Sequence, residues 1–180
     1  MADSTASSDR FDRWVSDHVE TLYRVAYRLV GDPHDAEDVV QDAFRSAWTS
    51  RELYDPGRSE RAWLLAILRR RVADHWRRSG GRPARGRADR IAGDVPDPVA
   101  PAGRDPFADE LSVAMQRALD RLPDDVRETL LLVVVGGLTH QEAADLQGIP
   151  LGTVLSRVSR GRVRLREYLL EAEVARPDGH

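Results

Sequence analysis

The chain has 180 residues, of which 41% are hydrophobic, 32% charged and 6% aromatic. This balance favours a helix-rich protein with a buried core over an extensive sheet. The formal net charge of -3 excludes a uniformly basic nucleic-acid binder, and the lack of cysteine excludes disulfides and thiolate metal sites. No apolar run is long enough to cross a membrane, and the polar start lacks the apolar centre of a signal peptide, so we expect a cytoplasmic protein.

Two amphipathic helices are predicted in the first third of the chain. Residues 11–30 carry apolar side chains at helical spacing, and Gly31 ends that helix. Asp32 is suited to cap the next helix, and Pro33 is tolerated at its first position because an N–H there has no partner within the helix. One face of this second helix is apolar. Another face collects four polar side chains, Asp35, Asp38, Gln41 and Asp42.

A third helix and a linker complete the first part of the chain. Ser59 can cap a helix that passes through Trp63 and Trp76, two side chains predicted for the core because they fit the apolar spacing. Residues 80–106 are rich in Gly, Pro, Ala and Arg and lack an apolar face. They are therefore predicted to form a flexible linker between two helical bodies.

Four more helices are predicted after the linker. Pro123 stops the first of them and Gly136 the second. Thr139 and Glu142 have the S/T-x-x-E spacing of a capping box, which opens a short third helix. Because a glycine then turns the chain into the last helix, residues 138–167 have helix-turn-helix organisation.

The last helix is predicted to bury Val154 and Val158 and to expose a basic face. This face comprises Ser156, Arg157, Arg160 and Arg164. Arginine can hold a phosphate or form two hydrogen bonds with a guanine edge, and serine can donate or accept in either place, so the face suits the major groove of DNA. The alternative is a solvated helical hairpin that packs only on itself.

The residue types of enzymes and metal centres do not occur at the required spacings. His18, His34, His75 and His140 are scattered, with no metal-ligand pattern. The sequence contains no phosphate-binding loop, dinucleotide fingerprint or nucleophile elbow. We therefore expect no metal, no cofactor and no catalysis by this chain.

Three segments resemble the extracytoplasmic-function (ECF) group of the sigma-70 family, bacterial factors that bring RNA polymerase to promoters. LQGIPLGTVLSRVSRGRVRL is similar to the pattern LGIPxGTVxSRxxRxRxxL of the C-terminal domain in that group. DPHDAEDVVQDAFRSAW resembles its polymerase-binding helix, and RAWLLAILRRRVADHWRR its promoter-melting helix. These motifs in this order form a more specific match than a helix-turn-helix alone.

The resemblance implies an all-α chain with two small helical domains joined by a flexible linker. Its parts are a disordered start at 1–10, a sigma region 2-like domain at 11–79, the linker at 80–108, a sigma region 4-like helix-turn-helix domain at 109–170 and a tail at 171–180. A flexible linker raises the effective concentration of the second domain at DNA only for suitable spacings, so promoter spacing should matter.

The resemblance also assigns roles to side chains of the first domain. The acidic face implied to contact the clamp helices of the polymerase largest subunit comprises Asp35, Asp38, Gln41 and Asp42. The side chains implied to contact the minus-10 element are Tyr54, Arg69, Arg70, Arg77 and Arg78. Arginine tracks phosphates, and tyrosine can stack on a base if its loop presents it. The acidic face can instead be simply solvated.

The implied minus-35 contacts lie on the last helix: Thr153, Leu155, Ser156, Arg157, Ser159, Arg160, Arg162 and Arg164. We expect Arg160 to discriminate between bases, and Arg157 and Arg162 to hold phosphates. Leu155 stands where the family commonly has Arg or Lys, and we expect it to contact a thymine methyl unless it packs internally. The run Arg69-Arg70-Arg71 replaces the Arg-Asn-apolar run of many relatives, so base capture by that asparagine does not carry over.

These observations favour a sigma factor that binds core polymerase and directs promoter-specific initiation. The implied partners are the clamp helices and flap region of polymerase, promoter DNA and an anti-sigma factor, with no membrane insertion. Two alternatives remain open. One is a conventional helix-turn-helix regulator that binds duplex DNA without polymerase, and the other is a sigma mimic that only titrates a partner.

Overall fold

A computed structural model describes the backbone of residues 2–80 and 106–174, and the side chains of residues 9–80 and 113–174. Within these ranges every regular element is a helix or a short helical turn, so the all-α prediction is confirmed. The predicted flexible linker falls almost entirely on residues outside the described ranges.

Three helices form the first module: α1 (Ala2–Val30), α2 (Pro33–Thr49) and α3 (Glu60–Arg78). The carboxylate of Asp32 accepts hydrogen bonds from the backbone N–H groups of His34 (3.0 Å) and Asp35 (3.1 Å). The hydroxyl of Ser59 accepts one from the N–H of Ala62 (3.2 Å). Because these caps satisfy N–H groups that have no partner within the helix, α2 and α3 begin where the sequence predicts.

Four helices form the second module: α4 (Pro106–Asp120), α5 (Asp124–Val134), α6 (His140–Gln147) and α7 (Leu151–Val174). α7 packs on α5 through buried Val154 and Val158. A Cβ atom at Gly161 would lie 3.1 Å from Cγ1 of Val126, so the glycine allows the two helices to approach closely. This packing fixes which face of α7 points away from the protein.

The apolar core continues from the first module into the second. Leu64 and Leu65 of α3 and Leu132 of α5 are fully buried members of the same cluster. A Cβ atom at Gly136, just beyond α5, would lie 2.9 Å from Cδ1 of Leu65, which shows how closely the modules approach. The two helical bodies expected from the sequence are therefore packed against each other.

Three boundaries differ from the sequence prediction. α1 begins at Ala2, although residues 1–10 were expected to be disordered; residues 2–10 contain no glycine or proline, the residues that interrupt helices most strongly. α4 begins at Pro106, inside the expected linker, because proline is tolerated in a first helical turn. α7 continues to Val174, inside the expected tail.

Candidate nucleic-acid and partner interfaces

The helix-turn-helix is held by a complete capping box and a glycine turn. The N–H of Glu142 donates to Oγ1 of Thr139 (3.1 Å), and the N–H of Thr139 donates to Oε2 of Glu142 (2.8 Å). The hydrogen bond from Thr139 lowers the pKa of Glu142, since it stabilises the carboxylate. Gly148 ends α6 with a φ of 67°, in the left-handed region that favours glycine. The predicted motif is thus present with the turn that it requires.

The outward face of α7 is open along most of the predicted minus-35 set. Leu155 is 47% exposed, which rules out the alternative that it packs internally. The other predicted side chains exposed on this helix are Ser156, Ser159, Arg160, Arg162 and Arg164. Arg160 folds back along the helix, where its Nε donates to the carbonyl oxygen of Ser156 (3.2 Å).

Two members of the predicted minus-35 set are less open. The guanidinium of Arg157 pairs with the carboxylate of Asp125 in α5 at 2.9 Å, and its side chain is mostly buried. Thr153 is half-buried near the start of α7. Arg157 was expected to hold a phosphate, but in this structure it anchors α7 to α5 because an acidic partner lies within reach. The sequence pattern could not locate that partner.

The predicted acidic face of α2 lies beside the end of α3. Asp38 and Gln41 are exposed and line a groove between the two helices. Asp42 pairs with Arg45 at 3.1 Å and with Arg78 at 3.7 Å. The fourth predicted residue, Asp35, lies 3.5 Å from Nε2 of His75. The part of the face most open to a partner is therefore formed by Asp38 and Gln41.

The arginines of α3 are mostly engaged by carboxylates. Nε of Arg69 donates to Oε1 of Glu128 in α5 at 2.7 Å, a contact between the two modules. Arg77 pairs with Asp74 in its own helix, and Arg78 reaches Asp42, as described above. Arg70 is exposed beside a second groove between α2 and α3. Arg70 is thus exposed to solvent, as are Arg77 and Arg78, although those two also lie against carboxylates.

Tyr54 is not presented for base stacking. Its side chain is 9% exposed and lies in an aromatic cluster, with ring centroids 5.1 Å from Trp14 and 5.2 Å from Trp63. The Tyr54 hydroxyl donates to the carbonyl oxygen of Arg58 (2.7 Å), and burial raises its pKa. The stacking prediction is wrong because the ring gains more contact in this cluster than at the loop surface.

The loop between α2 and α3 presents a different apolar side chain. Leu53 ends the helical turn Arg51–Leu53 and is 82% exposed. Beside it Trp48 is partly exposed, with the guanidinium of Arg51 4.2 Å from its ring centroid. The sequence analysis missed this tip, and the only available signal was a leucine immediately before Tyr54 in a segment bounded by polar residues.

Two further observations concern membrane spans and metal sites. No helix within the described ranges is long and apolar enough to cross a membrane. Across the same residues, no group of three His, Asp or Glu side chains is placed to hold a metal ion.

Profiles of two sigma-70 regions match the two modules. Sigma-70 region 2 matches residues 14–82, and Sigma-70, region 4 matches residues 112–165. The chain is 36% identical to ECF RNA polymerase sigma factor SigE of Mycolicibacterium smegmatis, over 91% of this chain and 63% of SigE. It is 31% identical to ECF RNA polymerase sigma factor SigW of Bacillus subtilis, over 89% of both chains.

Solved structures agree with these matches. The sigma factor RpoE of Bartonella quintana, in complex with the anti-sigma factor NepR, superposes with a TM-score of 0.70 at 29% identity, over 93% of this chain and 99% of that chain. CnrH, in complex with the cytosolic domain of CnrY, superposes with a TM-score of 0.67 at 28% identity, over 94% of both chains.

An exposed helix-turn-helix face on one helical module and an exposed acidic face on the other define a multidomain DNA-binding transcription factor. The matches cover both modules in the same order. The chain belongs to the ECF group of the sigma-70 family, the RNA polymerase sigma factors whose members direct polymerase to promoters.

Proposed function

We propose that this chain binds core RNA polymerase through α2 and directs initiation at promoters that it reads with both modules. One observation carries the proposal: the chain presents the exposed pair Asp38 and Gln41 on one module and the open face of a capped helix-turn-helix on the other. A conventional helix-turn-helix regulator does not require the exposed pair Asp38 and Gln41, and a sigma mimic does not require the helix-turn-helix face.

The proposed polymerase contact is electrostatic at its centre. Asp38 is exposed near the middle of α2, where a basic side chain of the clamp helices can reach it. Gln41 lies one turn further along the helix and can donate and accept hydrogen bonds at the rim. Asp35 and Asp42 are proposed to contribute only at the edges of this contact. Each already lies beside a basic side chain, His75 and Arg45 respectively, and is therefore less available to polymerase.

The proposed minus-35 contact uses the open face of α7. Arg160 can release its local bond to Ser156 and bind a guanine edge, while Leu155 is exposed for a thymine methyl. Ser156 and Ser159 can donate to bases or phosphates. Arg162 and Arg164 are assigned to phosphates, and the flap region of polymerase is proposed to hold the second module near this DNA.

The proposed minus-10 contact uses α3 and the loop before it. Arg70 is exposed for phosphate contact, and Arg77 and Arg78 can exchange their surface carboxylates for phosphates. In place of Tyr54 we assign Leu53 to the separated bases, because apolar side chains that enter a base step stabilise its unstacked form.

The remaining proposals concern partners and chemistry. RNA synthesis belongs to polymerase, and the chain itself supplies recognition rather than catalysis. Because polymerase works in the bacterial cytoplasm, the chain is proposed to act there. An anti-sigma factor is a further proposed partner, supported by the sigma factor RpoE of Bartonella quintana, whose structure was solved in complex with the anti-sigma factor NepR.

Run-off transcription tests the proposed function. Purified core polymerase is combined with the chain on a library of genomic promoters, and Asp38→Arg is compared with Asp17→Arg, a matched reversal on the exposed face of α1. We expect promoter-specific transcripts with the parent and Asp17→Arg and a large loss with Asp38→Arg. Tight duplex binding without initiation would favour the conventional regulator, and core binding without initiation would favour the mimic.

A further inference from the structure

A groove between α2 and α3 lies beside Arg70. It has a volume of about 500 Å³, within the range of small-ligand sites. Asp42 and Ser46 line it from α2, Ser50 lines it from just beyond that helix, and buried Ile67 lines it from α3. The groove therefore combines polar walls with an apolar side chain, a combination that suits a flat ring with polar edges.

Arg70 is the arginine of this groove whose donors are open. Of the other two arginines that line it, Arg45 pairs with Asp42 at 3.1 Å and Arg71 pairs with Asp74 at 3.1 Å. Arg70 is exposed and pairs with no carboxylate among the residues that the structure describes. Its guanidinium carries several N–H donors in a rigid plane and no acceptor. The α3 side of the groove therefore offers hydrogen-bond donors to a ligand.

The α2 side of the groove offers acceptors instead. Oγ of Ser46 donates to the carbonyl oxygen of Asp42 (2.6 Å), and Oγ of Ser50 donates to the carbonyl oxygen of Ser46 (2.7 Å). Because each hydroxyl has a single proton, these oxygens can only accept from a ligand. The side chain of Asp42 is 34% exposed, and its oxygens can accept bonds beyond those from Arg45 and Arg78. A ligand that fills the groove must therefore accept on one side and donate on the other.

Guanine has this polarity. Its O6 and N7 accept a bidentate pair of bonds from a guanidinium, and in an unpaired strand its N1 and N2 hydrogens are free to be donated to a carboxylate. Adenine presents an amino group where guanine has O6, so it would set donor against donor at Arg70. A phosphate diester has no hydrogen to offer the acceptors, and its charge would be repelled by Asp42. The exposure of Arg70 alone suits a phosphate, but the groove beside it suits guanine better.

We propose that this groove selects a guanine base in the separated minus-10 strand, with Arg70 on its O6 and N7 and Asp42 on its N1 and N2 hydrogens. The presence of that strand rests on the proposed function. Ser50 lines the groove and immediately precedes the helical turn that ends at Leu53, the side chain assigned to the separated bases. A strand that meets Leu53 therefore passes close to the groove.

Base analogues test the two halves of this contact. Holoenzyme assembled from core polymerase and the full chain is titrated with labelled single strands that carry guanine at one minus-10 position at a time. We expect one position at which guanine binds about tenfold more tightly than adenine. At that position 7-deazaguanine, which lacks the N7 acceptor, and inosine, which lacks the N2 amino group, should each weaken binding. Equal binding of all bases at every position would overturn the proposal.

Variants of Arg70 connect the preference to this side chain. Arg70→Ala should remove the discrimination against adenine and 7-deazaguanine, while the loss caused by inosine remains because Asp42 is intact. Arg70→Lys keeps the charge but not the planar pair of donors, so it should lose most of the preference as well. Arg77→Ala is the matched control: Arg77 is proposed to hold a phosphate, so its loss should weaken binding to every strand alike. A guanine preference that survives in Arg70→Ala, or that is complete in Arg70→Lys, would contradict the proposal.

Free guanine nucleotides carry the same base, so a competition experiment identifies its source. Guanosine monophosphate and adenosine monophosphate are titrated against the bound strand. We expect the strand to bind much more tightly than guanosine monophosphate, because its phosphates and its contact with Leu53 hold it as well. Displacement by guanosine monophosphate at concentrations comparable to the strand, with no preferred position in the strand, would assign the groove to a free nucleotide and overturn the proposal.

The same titrations separate this inference from the proposed function. If the proposed function failed, the holoenzyme would bind no minus-10 strand, whatever its bases. If only the assignment of the groove failed, the strand would bind without a preference for guanine.

Discussion

The arginines of α3 and those of α7 differ in how many of them pair with carboxylates. On α7, Arg160, Arg162 and Arg164 point outward, and of the predicted set only Arg157 pairs with an acidic residue, at 2.9 Å from Asp125. On α3, Arg69 reaches across to Glu128. Two others, Arg77 and Arg78, also lie against carboxylates, whereas Arg70 is exposed.

This difference shows that a count of arginines does not measure the surface available to DNA. An arginine paired with a carboxylate must exchange that partner before it can bind a phosphate, so part of the binding free energy is lost. The recognition face of α7 is available without such an exchange. On α3, by contrast, Arg69 and Arg77 can bind phosphates only after they separate from the carboxylates of Glu128 and Asp74.

The largest expected effect is a loss of folding stability when the contact between the two modules is broken. Arg127→Ala removes a buried cation that donates to Asp120 and to the Leu29 carbonyl, although Asp120 keeps its hydrogen bond from Gln116. We expect a loss of about 3 kcal/mol in the free energy of unfolding, at the low end for a broken buried pair because Asp120 remains a third exposed. Urea unfolding measures it. The control Arg24→Ala breaks an exposed pair with Glu20 and should cost roughly 0.5 kcal/mol or less.

The next effect separates base reading from phosphate binding on α7. Arg160→Ala should weaken binding to the preferred minus-35 element by about 1–3 kcal/mol and reduce discrimination against a changed base. Arg162→Ala should weaken binding to all sequences alike and reduce the salt dependence by about one phosphate contact. Holoenzyme titrations on matched and changed elements at several salt concentrations measure both. Identical profiles for the two variants would contradict the division of roles.

A smaller effect is expected at the loop before α3. Leu53→Ala should weaken open-complex formation by roughly 1–2 kcal/mol, part of the transfer free energy of a leucine side chain. Tyr54→Phe removes only the hydrogen bond to the Arg58 carbonyl and should lower stability by about 1 kcal/mol without changing DNA opening. Permanganate footprinting of the minus-10 region tests both variants. A larger opening defect in Tyr54→Phe would return the base contact to tyrosine.

The smallest effect concerns the cap of α6. The pKa of Glu142 is lower in the folded chain than in the unfolded chain, so its stabilisation is present above the unfolded pKa and is lost as pH falls through the folded pKa. Glu142→Gln should therefore cost about 1 kcal/mol or less at neutral pH, because the site is partly exposed to water, and the loss should shrink as pH falls through the folded pKa of Glu142. Thermal unfolding across a series of acid pH values measures this, and a loss that stays equal throughout the series would contradict the charge-dependent cap.

Local patterns in the sequence predicted local structure well. Asp32, Ser59 and the pair Thr139 and Glu142 cap the helices that they were expected to cap, because capping depends on residues within one turn. Contacts between distant segments were not predictable in this way. Glu128 lies far from Arg69 in sequence, and the burial of Tyr54 depends on Trp14 from another helix.

Helical periodicity alone also did not predict which side chains are buried. Val19 and Val134 fit the apolar spacing of their helices, yet they are 40% and 54% exposed. Arg127 and Gln116 lie on polar positions by pattern and are buried at the boundary between the modules. Periodicity identifies a face, but the neighbour that covers it is set by tertiary packing.

Transcription across a series of promoter spacers tests most directly the claim that both modules read one promoter together. Run-off transcripts are measured with core polymerase, the parent chain and Arg160→Ala while only the distance between the minus-35 and minus-10 elements is varied. The account predicts a narrow spacing optimum for the parent and a flatter, weaker response for Arg160→Ala. Equal transcription by the parent across all spacers would contradict it.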